Sequence, residues 1–250
     1  KEHTFFILQI HKEIKPQKEL LNNNQNTMRI LLIIFCIIFP LNLAQGQGRG
    51  EDPTFVTGTG FNGVVTQIVL QTDEKILVRG DFTEYNGASA NRIIRLNADG
   101  SRDESFQIGT GFNKTVYKMV LQPDGKILAC GDFTEYNGAS ANRIIRLNAD
   151  GSRDDSFLTG TGFSGVITDI ALQSENKIVL AGGGGKYKGD TCSYPVARLH
   201  INGDIDTTFK ATKPSDISVS SLYRADMIVV QPSGKVVVKG EFYTSGFRVY

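Results

Sequence analysis

The sequence predicts an all-β fold built from repeated small sheets, and three observations support this. The stretch 80–103 recurs unchanged as 131–154, an offset of 51 residues (131 − 80 = 51). Short apolar runs alternate with Asn-Gly and Asp-Gly pairs, which favour tight turns between short strands. Apolar residues occupy both faces of these runs, as in sheets that are covered on each side. Four short strands in about fifty residues are typical of a β-propeller blade.

The repeat extends beyond the identical stretch. Phe61, Phe112 and Phe163 follow the same step of 51 residues. A looser fourth copy, 228–242, matches 119–133, and an insertion within 210–224 stretches its spacing. We therefore divide 50–250 into units at about 56–106, 107–157 and 158–209, followed by a truncated unit at 210–250.

Each unit is predicted to contain four strands. In the first unit the predicted strands are 64–71, 75–82, 92–97 and a short fourth strand through Ser105 and Phe106. Asp99-Gly100 predicts the hairpin turn before the fourth strand. The polar stretch 83–91 is predicted to be a loop.

The second strand predicts how the sheets pack. Ile76, Val78 and Phe82 lie on one face, and Leu77 lies on the other. Two apolar faces imply that each sheet is sandwiched between neighbouring sheets. Glycine recurs in this strand, which predicts a β-bulge or a close approach of two backbones. The recurring glycines are Gly80, Gly131, Gly182 and Gly240.

The amino-terminal region has the order of a signal peptide at 28–46. Met28-Arg29 precedes the apolar run 30–39, and cleavage is expected after Gly46. Residues 1–27 are interpreted as an upstream or disordered segment. The alternative is that 1–27 is a cytoplasmic tail and 30–44 an uncleaved anchor, but the run is short for a membrane span. We expect a secreted, periplasmic or cell-surface protein.

The first repeated segment predicts an incomplete ring. Asp52–Phe55 matches Asp103–Phe106, so the array starts at the last strand of a unit. β-Propellers usually have about four to eight blades, and three units and a part are fewer than that. We therefore expect this chain to be a fragment of a longer protein.

At these residues the sequence resembles the delta-60 repeat family, a bacterial β-propeller repeat family of unassigned function. The resemblance covers about 52–250 and depends on the segments 96–106, 109–113, 121–128 and 131–138. It implies a secreted or surface protein without an established activity. The sequence departs from the pattern at 72–75 and 174–177, which lack the turn glycine, and at 182–195.

Charge and cysteine content exclude several function classes. The net charge of +1 favours neither nucleic acid nor a membrane surface as a partner. The three cysteines, Cys36, Cys130 and Cys192, have no zinc-site spacing. Pairing of Cys130 with Cys192 stays open, because sequence does not give the distance between their Cα atoms.

Candidate sites for metal, phosphate and catalysis have structural explanations. The stretch 97–103 resembles a calcium loop but lacks the glycine and the downstream glutamate of an EF-hand, and a hairpin turn explains it. The Gly-Thr-Gly triplets at 58–60, 109–111 and 160–162 lack the helix and Lys-Ser/Thr of a phosphate loop. We predict no catalytic residue, metal or cofactor. His200 is the one histidine after the signal peptide.

The polar loops 81–91 and 132–142 are the candidate binding residues. They present Glu84, Tyr85 and Asn86, and in the next repeat Glu135, Tyr136 and Asn137. These side chains could bind an extracellular protein or a carbohydrate, since loops on a rigid scaffold commonly carry recognition. The competing interpretation is that tyrosine packs against an adjacent blade and Asn-Gly forms a turn. Packing is favoured.

We therefore predict a non-catalytic binding or adhesion scaffold. Two alternatives remain open at this point. One is a propeller enzyme that acts on polysaccharide, with catalytic residues in a portion outside this chain. The other is a structural spacer.

Overall fold

A computed structural model describes residues 54–56, 58–183, 185–188, 190–192, 195–209, 219–244 and 247–249. The predicted signal peptide and the preceding segment lie outside these residues. All regular elements in the described part are β-strands, and it contains no helix long and apolar enough to cross a membrane.

The strands repeat in groups. The first repeat contains β1 (Val65–Leu70), β2 (Ile76–Gly80), β3 (Glu84–Tyr85), β4 (Ala88–Ser89) and β5 (Ile93–Leu96). The second contains β6 (Val116–Leu121), β7 (Ile127–Gly131), β8 (Glu135–Tyr136), β9 (Ala139–Ser140) and β10 (Ile144–Leu147). The third contains β11 (Ile167–Gln173), β12 (Lys177–Gly182), β13 (Gly185–Tyr187), β14 (Asp190–Cys192) and β15 (Val196–Leu199). The fourth contains β16 (Val219–Val230), β17 (Val236–Thr244) and β18 (Phe247–Val249).

Each repeat forms one antiparallel sheet of three strands. The strand orders are β1-β2-β5, β6-β7-β10, β11-β12-β15 and β16-β17-β18. In the first three repeats the loop predicted after the second strand contains a further two-stranded hairpin, β3-β4, β8-β9 or β13-β14. The repeated antiparallel sheets confirm the predicted all-β fold.

The predicted fourth strand is wrong in extent and position. Only Arg102 pairs with the outer strand, through a single bridge to Leu96, and the other two repeats have equivalent bridges. Ser105 lies in a turn instead, because the carboxylate of Asp103 accepts hydrogen bonds from its backbone N–H at 3.0 Å and its hydroxyl at 2.7 Å. This local bonding competes with strand pairing.

The middle strands of sheets one to three are buried on both faces, as the apolar pattern predicts, whereas β1 of the first sheet is half-buried or exposed. Every residue of β2 and of β7 is buried. Leu77 of the first sheet packs in one cluster with Val116 and Met119 of the second. Leu128 of the second sheet packs in the same way with Ile170 of the third. The core is therefore a series of sandwiched layers between successive sheets.

The first strands of sheets one to three, β1, β6 and β11, also make polar contacts with the next sheet. These contacts differ from one interface to the next. The Gln67 amide pairs with the backbone of Met119, donating to its carbonyl and accepting from its N–H, both at 2.9 Å. Lys118 stands at the position of Gln67 in the second sheet, with its Nζ 3.6 Å from Asp169. Asp169 in turn accepts a hydrogen bond from the N–H of Ile228 in the fourth sheet at 2.8 Å.

The recurring glycine of the second strand faces a β-bulge, as one of the two sequence interpretations predicts. The pairing of β1 with β2 shifts register between Val65 and Gln67, opposite Gly80. A Cβ on Gly80 would lie 2.0 Å from the carbonyl oxygen of Val64. That distance excludes any side chain unless the backbone moves.

The hairpin between the first two strands requires a left-handed residue. In the second repeat this residue is Gly125, with φ of 82°, whereas the first repeat has Glu74, with φ of 65°. A left-handed conformation is costly for any residue with a Cβ. The missing turn glycine of the first repeat therefore leaves a strained glutamate.

Replacing Glu74 with glycine is expected to raise the free energy of unfolding by about 1 kcal/mol, because glycine adopts a positive φ without strain. Urea denaturation of the purified chain measures the change. The matched control is Gly125→Ala in the second repeat, which is expected to lower stability by a similar amount. A loss of stability in Glu74→Gly would contradict the prediction.

Candidate binding surface

The candidate loops form tight hairpins in the connection between the second and third strands of the first two sheets. In the hairpin β3-β4, Asn86 and Gly87 connect the strands with φ of 49° and 74°. Two consecutive left-handed residues are typical of a type I′ turn. Asn137 and Gly138 repeat this geometry between β8 and β9, with φ of 49° and 72°. We call these two hairpins, 84–89 and 135–140, the rim hairpins.

The tyrosines of the rim hairpins point into the protein. Tyr85 is 3% exposed and Tyr136 is 2% exposed. Each hydroxyl donates a hydrogen bond of 2.6 Å to a glycine carbonyl, that of Gly100 or Gly151. Burial raises the pKa of both phenols. These rings are therefore unavailable to a ligand, and packing, the favoured sequence interpretation, describes them.

The asparagines hold the backbone of a neighbouring loop. The side-chain oxygen of Asn86 accepts a hydrogen bond from the N–H of Gly60 at 2.8 Å. Asn137 accepts one from the N–H of Thr110 at 3.2 Å. The first two Gly-Thr-Gly loops are thus anchored to the rim hairpins.

Glu84 and Glu135 are exposed, as are Asn86 and Asn137, so four of the six predicted binding residues lie at the surface. The backbone N–H groups of Glu84 and Glu135 donate to the side chains of Asn62 and Asn113 at 2.9 and 3.1 Å. Lys186 stands at the same position in the third repeat and donates its N–H to Ser164 at 2.8 Å. The two rim hairpins therefore present two acidic groups, and the third repeat presents one basic group at the same position. Ligand binding at this surface stays a prediction.

A buried ionic cluster, which sequence reasoning missed, recurs in three repeats. In the first repeat the Asp103 carboxylate contacts Arg95 and Lys75, both at 2.6 Å. The corresponding contacts of Asp154 are Arg146 at 2.7 Å and Lys126 at 2.8 Å. Asp206 in the third repeat contacts Arg198 at 2.9 Å and Lys177 at 3.1 Å. The recurrence of all three charges at repeat spacing was the available signal.

Electrostatics hold these carboxylates in their charged form. Burial acts to raise the pKa of Asp154, but hydrogen bonds from Lys126, Ser156 and Arg146 outweigh it and lower the pKa. The same balance lowers the pKa of Asp103. These repeated acids are therefore committed to ion pairs within the fold.

The arginines of the first two clusters also connect adjacent repeats. Arg95 donates to the carbonyl of Ala149 in the second repeat, and Arg146 donates to that of Ile201 in the third. The guanidinium carbon of Arg95 lies 4.7 Å from the ring centroid of Phe106, a cation–π geometry. The first cluster thus links the strand that contains Arg95, the segment that follows this strand and the second repeat.

The stretch 97–103, which resembles a calcium loop in sequence, forms a hairpin turn, as the sequence analysis predicts. One Asp99 carboxylate oxygen accepts from the N–H of Ser101 at 2.9 Å and from its hydroxyl at 2.6 Å. The Ser101 hydroxyl is the first cause of the lowered pKa of Asp99. In the described part of the chain no group of three or more His, Cys, Asp and Glu side chains could hold a metal.

Cys130 and His200 occupy repeat positions filled by other residues elsewhere. Cys130 is a buried free thiol, and burial raises its pKa. The side chain of Cys192 lies outside the described part. The Nδ1 of His200 lies 2.8 Å from the Nζ of Lys177, which places this histidine beside the ionic cluster of the third repeat.

Comparison with known proteins identifies the repeats. A domain of unknown function described as a beta-propeller, DUF5122, matches residues 71–106, 122–157 and 173–209. None of the curated proteins matches the chain. A structural similarity links it to the extracellular domain of a one-component system from B. thetaiotaomicron, with a TM-score of 0.33 and 14% identity. The similarity covers 75% of this chain but 27% of that chain, so this chain spans about a quarter of that length. The matched segments contain the second and third strands and the ionic cluster, and the chain therefore carries three DUF5122 β-propeller repeats, consistent with the delta-60 type.

Proposed function

We propose that this β-propeller repeat protein is a secreted or cell-surface, non-catalytic scaffold that binds an extracellular partner through its rim hairpins. The observation that carries the proposal is the pair of exposed carboxylates, Glu84 and Glu135, on hairpins that hydrogen bonds hold to the rest of the repeat. The buried Tyr85 and Tyr136 hydroxyls anchor the hairpin backbones. A preorganised backbone lowers the entropy cost of binding.

The chemistry of the rim favours a basic protein surface over a carbohydrate. Tyrosine rings that could stack on a sugar are buried in both hairpins. The exposed charged side chains of the two rim hairpins are carboxylates, which pair with lysine and arginine, and the third repeat has Lys186 at this position. The structural role of the clustered acids Asp103, Asp154 and Asp206 supports a scaffold without catalysis, because their charges are already paired within the fold.

The double variant Glu84→Gln/Glu135→Gln tests the surface. With decalysine as the basic probe, we expect its dissociation constant to rise at least about fivefold at about 50 mM salt, where charge screening is weak. Biolayer interferometry with the purified chain measures this change. A panel of immobilised polysaccharides is measured in parallel.

The matched control is Glu104→Gln/Asp155→Asn, which removes two carboxylates that are 84% and 91% exposed at equivalent positions outside the rim hairpins. Equal weakening by both double variants would show that bulk charge alone attracts the probe and would refute the rim surface. Polysaccharide binding retained by the rim variant would also count against it. Mass spectrometry of exported protein tests localisation, with Gln47 as the expected first residue.

A further inference from the structure

The hairpin β13-β14 of the third repeat has the same anchors as the two rim hairpins. Tyr187 of this third hairpin is 1% exposed, and its hydroxyl donates a hydrogen bond to the carbonyl of Gly203. Phe163 forms an isolated bridge with Tyr187, as Phe112 does with Tyr136. The ring centroids of Phe163 and Tyr187 lie 4.3 Å apart. The third hairpin is therefore fixed to its repeat in the same way as the rim hairpins.

A hydrogen-bonded loop connects the first rim hairpin to the second. Asn91, which follows the first rim hairpin, donates through Nδ2 to the carbonyl of Thr110 at 2.7 Å. The N–H of Thr110 donates in turn to the side chain of Asn137 in the second rim hairpin at 3.2 Å. One residue of the loop thus contacts both hairpins.

The second rim hairpin is connected to the third hairpin in the same way. Asn142, which follows the second rim hairpin, donates through Nδ2 to the carbonyl of Thr161 at 2.9 Å. The N–H of Lys188 in the third hairpin donates to the carbonyl of the neighbouring Gly162 at 3.1 Å. Side chains at equivalent positions of the three hairpins therefore follow one another in a fixed order. We call the outward side of these three hairpins the hairpin surface.

The outward side chain of the hairpin surface changes sign at the third hairpin. Glu84 and Glu135 occupy this position in the rim hairpins, and Lys186 occupies it in the third, where all three are exposed. Their backbone N–H groups each donate to a side chain of the preceding loop, at 2.9, 3.1 and 2.8 Å. One backbone position therefore presents an acid, an acid and a base in that order.

The net charge of the hairpins changes in the same direction. The segments 84–89 and 135–140 each contain one glutamate and no other charged residue, whereas 185–192 carries two lysines and one aspartate (2 − 1 = 1). The ammonium group of Lys188 already pairs with Asp204 at 2.6 Å. We therefore assign the contact with a partner to the other lysine.

We propose that the hairpin surface selects a protein partner that is basic opposite the two rim hairpins and acidic opposite the third hairpin. The inference rests on the proposed function, because it specifies the partner of the same surface. Complementary charges fix the orientation of a partner on an interface. A uniformly basic partner is repelled by Lys186, and like-charge repulsion of this kind excludes unsuitable partners.

Two peptides of equal composition test the charge order on the purified chain. The block peptide has six lysines, a Gly-Ser linker and then three glutamates, and the shuffled peptide has the same residues with the glutamates evenly distributed. Biolayer interferometry at about 50 mM salt measures both, because charge screening is weak there. We expect the block peptide to have a dissociation constant at least about threefold lower, as for the gain of one exposed ion pair.

Lys186→Glu is expected to have opposite effects on two basic probes. The dissociation constant of the block peptide should rise at least about threefold and that of decalysine should fall by a similar factor, because the third hairpin then attracts lysine. Lys235→Glu is the matched control, since Lys235 is exposed between β16 and β17 and the change in charge is the same. Both probes carry a net positive charge, so the control should change both in the same direction.

The outcomes separate the charge order from the rim surface itself. Equal binding of the block and shuffled peptides, or a change in the same direction for both probes in Lys186→Glu, would overturn the charge order. Weakened decalysine binding by Glu84→Gln/Glu135→Gln would in that case still support the rim surface. Decalysine binding that this double variant leaves unchanged would overturn both. Circular dichroism verifies folding, and Lys186→Gln, which removes the charge without reversing it, is expected to give smaller changes in the same directions as Lys186→Glu.

Discussion

Replacing Gly131 with alanine is expected to lower the free energy of unfolding by about 3 kcal/mol, because overpacking against rigid backbone is costly. A Cβ at this position would lie 2.2 Å from the carbonyl oxygen of Thr115 and 2.9 Å from the Cα of Val116. Both are backbone atoms, one of the residue before β6 and one of the first residue of β6, so a rotamer change cannot relieve the contact. The substitution must displace β6, the first strand of the second sheet. This strand also covers one face of the first sheet.

Urea denaturation followed by circular dichroism measures this loss. Gly183→Ala is the matched control, since a Cβ there meets nothing within 4 Å and its φ is not left-handed. We expect the control to change stability by less than about 0.5 kcal/mol, as for most surface substitutions. Equal stability of Gly131→Ala and Gly183→Ala would show that the bulge accommodates a side chain.

Removing one charge of the buried cluster is expected to have the second large effect. In Asp154→Asn, Arg146 and Lys126 lose their counter-ion while the Arg146 side chain remains 5% exposed. Breaking a buried ion pair on one side costs about 3–5 kcal/mol, because it leaves an uncompensated charge. Denaturation at neutral pH measures this loss. Asp155→Asn is the neighbouring control, because the Asp155 side chain is 91% exposed and its removal should cost little.

The same cluster predicts acid sensitivity. The pKa of Asp103, Asp154 and Asp206 is lower in the folded protein than in the unfolded chain. A lowered folded pKa contributes stability above the unfolded pKa, about 3.9, and that contribution is lost as the pH falls further. Stability should therefore decline steeply below about pH 4, and less steeply in Asp154→Asn. A variant with an unchanged acid slope would exclude Asp154 as a contributor.

Much of the fold was predictable because the repeat makes each local pattern visible several times. Apolar residues on both faces of 75–82 predicted a covered sheet, and β2 is buried throughout. The glycine at 80 predicted either a bulge or a close approach of two backbones, and the register of β1 and β2 shows a bulge. The short fourth strand failed because Asp103 bonds locally to Ser105, and strand propensity does not report such side-chain competition.

The candidate site was less predictable, because sequence does not show the direction of a loop side chain. Tyr85 and Glu84 are neighbours in the same strand, yet one is buried and the other exposed. Lys75, Arg95 and Asp103 look like separate surface charges in the sequence. They meet only after strand pairing brings residues 28 apart into contact.

The polar residues that vary on the first strands of the sheets affect the order in which the units pack against one another. The stretches 80–103 and 131–154 are identical, so loops and outer strands cannot distinguish the first unit from the second during folding. Lys118 and Asp169 can, because the cation on the second sheet pairs with the anion on the third, whereas Gln67 bonds to backbone groups that any unit offers. Docking of the units in another order would separate Lys118 from the Asp169 carboxylate, whose side chain is 8% exposed. The different side chains at this position of the first strand therefore favour one order of the units. They discourage the misassembly to which repetitive chains are prone.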